Sequence, residues 1–148
     1  MVTTATRIRR AVPADAPRLA ELAVQLGYDV DPGDLPERVS AILADPRADL
    51  LVAADAADEA IGWLHVELKP SLLSPIAAQV RGLVVDERHR SAGVGARLLD
   101  AAERWAEQRD CREMLVATRV TRERAHGFYR RQGYALLKTS HMFSKPLA

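Results

Sequence analysis

An apolar strand that leads directly into a glycine-rich helix start constrains this chain more than any other feature. Residues 83–85 are Leu-Val-Val, and from Val94 apolar residues recur at helical spacing as far as Trp105. Residues 91–95, Ser-Ala-Gly-Val-Gly, leave little side-chain bulk around the backbone between these two elements. Because the first amide groups of a helix lack partners and favour an anion, this connection predicts a phosphate-binding loop.

Two common phosphate-binding motifs do not fit the loop. A dinucleotide fingerprint needs a third glycine where Leu98 stands, and a P-loop needs Gly-Lys-Ser/Thr, which the segment lacks. The remaining pattern, R-x-x-G-x-G from Arg90 to Gly95, resembles the pyrophosphate-binding motif of the GCN5-related N-acetyltransferases (GNAT), which use acetyl-coenzyme A (acetyl-CoA). For this hexamer alone, a tight turn that merely requires glycines is the alternative.

A second motif supports the resemblance. Residues 125–134, A-H-G-F-Y-R-R-Q-G-Y, are similar to the A-x-x-F-Y-x-x-x-G-[FY] signature of the same family. One helical stripe contains Ala125, Phe128, Tyr129 and Gln132. Gly133 is placed to end the helix in the left-handed conformation. Two separate motifs in the expected order favour a family relationship over a chance match, and the element order extends the resemblance from about Arg7 to the C-terminus.

The apolar patterning predicts an α/β chain with a mixed central sheet and helices on both faces. The resemblance implies the acyl-CoA N-acyltransferase (GNAT) fold, in which the central strand and the next parallel strand splay apart, as a single domain over residues 1–148. The predicted strands are 7–12, 50–54, 61–69, 77–85, 113–118, 134–139 and 141–145, and the predicted helices are 15–27, 36–44, 94–109 and 122–132.

Composition and charge limit the classes of protein to which this chain can belong. With 148 residues, 48% of them hydrophobic, the chain predicts one globular domain, and no apolar run reaches the roughly 20 residues of a membrane span. The lone cysteine, Cys111, excludes an intrachain disulfide and indicates a reducing cytoplasm. At a net charge of +1, neither half of the chain is basic enough to indicate a nucleic-acid partner, and the histidines show no metal-ligand spacing. Residues 11–68 nevertheless hold twelve acids against three arginines.

The resemblance implies a coenzyme site at the first motif. The backbone of the central strand would pair with the pantetheine arm, and the Val85 N–H would face the thioester oxygen. The amides from Ser91 to Ala96 would hold the pyrophosphate. The coenzyme-binding residues expected on this basis are Leu83, Val84, Val85, Arg90, Ser91, Ala92, Gly93, Val94, Gly95 and Ala96.

The resemblance also implies catalytic residues. Tyr129 is the expected general acid for the leaving thiolate. Many members of the family place a glutamate near Gln79, and a glutamine cannot act as the general base. Glu67 is the candidate we assign, with His65 on the same strand face and a chain of water molecules as alternatives.

The expected reaction moves an acetyl group from acetyl-CoA to a primary amine of a cationic small molecule, by direct attack in a ternary complex. The chain looks most like small bacterial members close to aminoglycoside N-acetyltransferases, with Asp29, Asp31 and Gln79 as the implied substrate-binding residues. Members of the family commonly dimerise, so the resemblance is compatible with a homodimer. No membrane or nucleic-acid partner is expected. A non-catalytic acyl-CoA sensor or regulatory module remains as an alternative, because Gln79 replaces the glutamate of many members and Arg119 and Arg122 stand where the family often has an asparagine. A protein or peptide lysine also remains open as the acceptor.

Overall fold

The computed structural model describes residues 6–90 and 92–148, which fall into two units that divide after Val116. Within these residues the first unit holds a five-stranded sheet and three α-helices, and the second unit holds one α-helix. The strands are β1 (Arg7–Arg10), β2 (Ala48–Ala54), β3 (Ala60–Lys69), β4 (Ala77–Val85) and β5 (Met114–Val116), and the helices are α1 (Ala16–Gln25), α2 (Leu35–Ala44), α3 (Val94–Glu107) and α4 (Glu123–Arg131).

The sheet is mixed, as the sequence predicts. Its strand order is β1-β2-β3-β4-β5, in which the first four strands run antiparallel and β5 runs parallel to β4. The β4–β5 ladder covers only three residue pairs and ends at Val80 opposite Val116. From Arg81 to Val85, β4 therefore continues without a β5 partner in the first unit.

Helices cover both faces of this sheet. Trp63 and Val84 are paired across β3 and β4 and pack with the side chains of α1 and α2. The neighbouring Gly62 points the opposite way, because a Cβ placed there would lie 3.2 Å from Leu98 of α3. The apolar stripe of α3 is buried on that second face, through Val94, Leu98, Leu99, Ala102, Trp105 and Ala106. The predicted helices on both faces are confirmed.

A β-bulge at Arg81 sets which side chains of β4 share a face. The register passes from His65 opposite Gly82 to Val66 opposite Val80, which leaves Arg81 as an extra residue. Glu67 is paired with Gln79, so these two side chains lie on the same face of the sheet. That face is the one covered by α1 and α2, since Glu67 alternates in step with Trp63 along β3.

Gly82 has no room for a side chain. A Cβ at this position would lie 2.8 Å and 2.9 Å from two carbons of the Trp63 ring. We expect Gly82→Ala to lower the free energy of unfolding by about 1–3 kcal/mol, because a half-buried indole must shift to admit the methyl group. Urea denaturation measures the change. The matched control is Gly33→Ala, whose methyl group meets only the exposed Asp31 side chain, and equal stability of the two variants would contradict the expectation.

The predicted boundaries hold to within two residues for most elements, and β4 is confirmed over 77–85. The first strand ends at Arg10 because Pro13–Asp15 forms a 3-10 turn in which Asp15 Oδ2 accepts a hydrogen bond from the Val12 N–H at 2.8 Å. The two strands predicted over 134–139 and 141–145 are wrong, since residues 134–148 form no strand in the described part of the chain. An extended segment needs a partner strand for its backbone N–H and C=O groups.

The described residues contain no helix that is both long enough and apolar enough to span a membrane.

Candidate active site

The start of α3 has the geometry of an anion-binding helix terminus. Gly93 precedes it in the left-handed conformation, with φ 81°, and a Cβ built there would meet nothing within 4 Å. Among the described residues no side chain caps this terminus. The first helical hydrogen bond joins the Arg97 N–H to the Gly93 carbonyl, so the amides of Val94 to Ala96 remain available as donors. The site therefore fits a diphosphate.

The path from β4 to α3 brings the predicted coenzyme residues into one continuous stretch. Leu83 to Val85 lie on the part of β4 that has no β5 partner, where an extended ligand can pair with the backbone as an added strand. The exposed Arg90 donates from Nε to the Val85 carbonyl at 3.1 Å, which folds its side chain back toward the strand end. Ala92 and Gly93 are also exposed. Ser91 lies outside the described residues.

Asp86 is a structural residue of the site that sequence reasoning missed. It follows β4 directly, is 1% exposed, and accepts hydrogen bonds from Arg18 Nη2 at 2.6 Å and from the Arg88 N–H at 3.2 Å. Burial alone would raise the pKa of Asp86, but the hydrogen bonds from Arg88, Arg18 and Gln25 hold it well below its usual range. Acidic residues are common at strand ends, so the sequence around Asp86 does not mark it as important. Its role is visible only from the hydrogen bonds that it accepts from distant residues.

The candidate base lies in a polar cluster beside the bulge. Glu67 Oε1 is 3.4 Å from Arg81 Nε, with both side chains partly exposed, and Gln79 is its partner across the sheet. The structure thus brings together the predicted base and one predicted substrate residue. His65 lies on the same face, and burial lowers its pKa, with a raising influence from Glu67 and a lowering one from Arg81. A neutral imidazole at physiological pH can accept a proton, so His65 meets this requirement of a base.

The predicted acidic substrate residues lie on a separate segment of the first unit. Asp29 and Asp31 are exposed in the loop between α1 and α2, where Asp31 Oδ1 accepts a hydrogen bond from the Gly33 N–H at 2.9 Å. Among the described residues, neither carboxylate is hydrogen-bonded to Glu67 or Gln79. In the part of the chain that the structure describes, no Arg, Lys or His side chain forms an ion pair with either carboxylate. Both carboxylates are therefore available to solvent or to a cationic ligand.

In the second unit, Tyr129 lies on α4 with its ring edge-on to Phe128 at 5.2 Å and to Tyr134 at 5.8 Å between centroids. Burial raises the pKa of Tyr129 to about 12, against a smaller lowering influence of Arg122. Its hydroxyl is therefore protonated at physiological pH, as a general acid requires. Gly133 ends the helix with φ 94°, which confirms its predicted role as a left-handed cap.

A metal centre has no support in the described residues, since no group of three or more His, Cys, Asp or Glu side chains is placed to hold an ion. Cys111 lines a cavity of about 190 Å³ at the end of α3, and burial raises the pKa of its thiol. A thiol with a raised pKa is a poor nucleophile at neutral pH, which fits a structural residue.

Comparison with known proteins defines the class to which this fold and site belong. Residues 16–134 match the model of the acetyltransferase (GNAT) family, and the chain belongs to that family. A similar protein is aminoglycoside N(6′)-acetyltransferase type 1 of Stenotrophomonas maltophilia, which is 32% identical over 152 residues, with 99% of this chain and 97% of that protein covered. The enzyme of the same name from Klebsiella aerogenes is 30% identical over 117 residues, which covers 77% of this chain and 76% of that protein.

Solved structures support the fold. The aminoglycoside 6′-N-acetyltransferase AAC(6′)-Ig of Acinetobacter haemolyticus superposes with a TM-score of 0.83 at 23% identity, over 96% of this chain and 99% of that one. AAC(6′)-Iy, in complex with the bisubstrate analogue CoA-S-monomethyl-acetylneamine, superposes with a TM-score of 0.85 at 20% identity, over 96% of this chain and 99% of that one. These likenesses confirm the GNAT fold.

The chain is an acetyl-CoA-dependent N-acetyltransferase. The predicted family, enzyme class and acetyl donor are thereby confirmed, and the non-catalytic sensor is set aside.

Proposed function

We propose that this enzyme acetylates a primary amine of an aminoglycoside or of a similar polycationic small molecule. The observation that carries the proposal is the 32% identity to an aminoglycoside N(6′)-acetyltransferase over nearly the full length of both chains. The exposed carboxylates of Asp29 and Asp31 support it, because they add unpaired negative charge to the surface between α1 and α2. Such negative charge increases the binding affinity for a polycation more than for a neutral or acidic acceptor.

In this proposal the main chain does most of the coenzyme binding. Leu83, Val84 and Val85 pair with the pantetheine arm, and the open amides at the start of α3 hold the diphosphate. Bound acetyl-CoA supplies the thioester whose acetyl group is transferred. The Val85 N–H donates to the thioester oxygen and stabilises the charge that develops there. The full set of coenzyme residues is Leu83, Val84, Val85, Arg90, Ser91, Ala92, Gly93, Val94, Gly95 and Ala96.

The acceptor amine must lose a proton before it attacks, because its ammonium form has a pKa of about 10.4 and no lone pair. Glu67 is our candidate for this base. Its carboxylate is partly exposed, Arg81 holds it from one side, and Gln79 stands beside it to hydrogen-bond the acceptor. With both substrates bound, the neutral amine attacks the carbonyl carbon of the thioester directly, so that a C–N bond forms and the C–S bond breaks. Tyr129, whose hydroxyl is protonated before the reaction, gives its proton to the departing thiolate.

The base assignment predicts that Glu67→Gln lowers kcat/KM about 100-fold, because the amide keeps the shape of the side chain but cannot accept the proton. Steady-state kinetics with an assay for released thiol measures this loss. His65→Gln is the parallel variant. A larger loss of kcat/KM in His65→Gln would assign the general base to the His65 imidazole. Full activity in both variants would mean that a water molecule, and neither side chain, accepts the proton from the amine.

A panel of acceptors tests the substrate class. The purified enzyme is assayed with an aminoglycoside that carries a 6′-amine, one that carries a 6′-hydroxyl, a linear polyamine and a lysine peptide. We expect the 6′-amine compound to give the highest kcat/KM. In the double variant Asp29→Asn/Asp31→Asn the KM for that compound should rise, while the KM for acetyl-CoA should not change. A preference for the lysine peptide would overturn the proposal in favour of a protein acetyltransferase.

Three further properties belong to the same proposal. The family match spans residues 16–134 and thus both units, which supports a single domain over 1–148. The exposed apolar side chains near the C-terminus, such as Met142 and Phe143, support a homodimer, which sedimentation analysis tests. The lone half-buried Cys111 supports a cytoplasmic location.

A further inference from the structure

Side chains of α1 reach across the sheet end to the segment that follows β4. Arg18 and Gln25 lie seven residues apart on this helix, close to two turns. Arg18 Nη2 donates to Asp86 Oδ2 at 2.6 Å, and Gln25 Nε2 donates to Asp86 Oδ1 at 3.4 Å. We call Arg18, Gln25 and Asp86 the anchor cluster.

Gln25 makes a second contact that involves the backbone of the loop itself. Its Oε1 accepts a hydrogen bond from the Glu87 N–H at 2.9 Å. The Asp86 N–H donates to the Ile61 carbonyl at 2.8 Å, and the Asp86 carbonyl accepts from the His89 N–H at 2.8 Å. The backbone from Asp86 to His89 is therefore held by a helix, a strand and its own 3-10 turn.

In the coenzyme site proposed above, on which this inference rests, the segment connects the strand assigned to the pantetheine arm to the helix terminus assigned to the diphosphate. The direction in which the chain leaves β4 is one constraint on where Gly93 and the first amides of α3 lie, and the packing of α3 is another. Donors held in place before the ligand binds do not have to be ordered when it binds, so pre-organisation increases affinity. The other contacts of this stretch include the hydrogen bonds of Arg88 with Asp86 and of Arg90 with the Val85 carbonyl. The side chains of Glu87, Arg88 and Arg90 are exposed.

We propose that the anchor cluster is a positioning device for the coenzyme loop, which sets the affinity for coenzyme A through residues that do not touch the coenzyme. Gln25 and Asp86 are its positioning residues. The proposal concerns the donor side of the reaction and does not depend on the identity of the acceptor.

Gln25→Ala tests the proposal, because it removes both contacts of one half-buried side chain at the end of a helix. We expect the Kd for coenzyme A, measured by calorimetry, and the KM for acetyl-CoA to rise about five- to tenfold. The kcat at saturating acetyl-CoA should stay within about twofold of the wild-type value, because the reacting groups are unchanged. Gln108→Ala, at an exposed glutamine that follows α3, is the matched control and should leave all three constants unchanged.

Gln25→Glu separates the two contacts. It keeps an acceptor for the Glu87 N–H but places a second carboxylate beside Asp86, which repels it. We therefore expect the Kd for coenzyme A to be equal to or higher than that of Gln25→Ala. Unchanged Kd and KM in Gln25→Ala would overturn the proposal. A fall in kcat without a change in Kd would also overturn it, as would failure of Gln25→Ala to fold, since the cluster would then serve the fold and not the loop.

Discussion

Replacing Tyr129 with phenylalanine should lower kcat about 100- to 1000-fold, because the variant cannot donate a proton to the leaving thiolate. Coenzyme binding should persist, with a Kd within about twofold of the wild-type value, since the phenol is not assigned to the diphosphate or pantetheine sites. Thiol release under steady-state conditions measures the first quantity and calorimetry with coenzyme A measures the second. The proposal for the general acid depends on this separation of turnover from binding.

Tyr134→Phe is the matched control, because Tyr134 belongs to the same motif and its ring lies 5.8 Å from that of Tyr129. It should retain most of the wild-type kcat. Equal losses in the two variants would indicate that the motif needs its aromatic packing and polar edges, not a proton donor. Since the pKa of Tyr129 is raised to about 12, its deprotonation should not reduce the wild-type rate between about pH 7 and 10.

The second large effect concerns stability. Asp86→Ala should lower the free energy of unfolding by about 3 kcal/mol, because it leaves the guanidinium of Arg18 without its buried carboxylate. For a chain of this length that corresponds to a fall in Tm of roughly 6–12 °C. Urea and thermal denaturation measure both quantities. Arg88, whose side chain is 76% exposed, can turn to solvent and adds little to the loss.

Glu59→Ala is the control for this variant. Glu59 Oε1 lies 3.4 Å from the same Arg18 guanidinium, but its side chain is 61% exposed. Because exposed ion pairs contribute little, we expect a loss below about 1 kcal/mol. A similar loss in both variants would mean that the buried Asp86–Arg18 ion pair stabilises the fold no more than the exposed Glu59–Arg18 pair does.

The same residue predicts a pH dependence. The pKa of Asp86 in the folded protein lies below its value of about 3.9 in the unfolded chain, so the carboxylate stabilises the fold fully above that pH. As the pH falls below about 4, protonation removes this contribution. The stability difference between wild type and Asp86→Ala should therefore be constant from about pH 5 to 8 and shrink in stronger acid. A difference that grows on acidification would contradict the ion-pair account.

Features that depend on neighbouring residues could be predicted from the amino-acid sequence. The bounds of β4, the start of α3 at Val94 and the left-handed Gly133 all agree with the structure. Each of these follows from the period of apolar side chains or from the steric freedom of a glycine, and both act over a few residues. The resemblance of the two motifs to those of a known family likewise identified the family and the acetyl donor.

The tertiary structure alone determined the features that join distant segments. The bulge at Arg81 pairs Glu67 with Gln79, and no local pattern marks the extra residue. Asp86 depends on Arg18 and Gln25, which lie 68 and 61 residues earlier in the chain. The strands predicted after Tyr134 are absent from the described residues, because alternation of apolar residues does not supply a hydrogen-bonding partner. Local sterics and periodicity can be read from one segment, whereas pairing and charge compensation require that a second segment be in place.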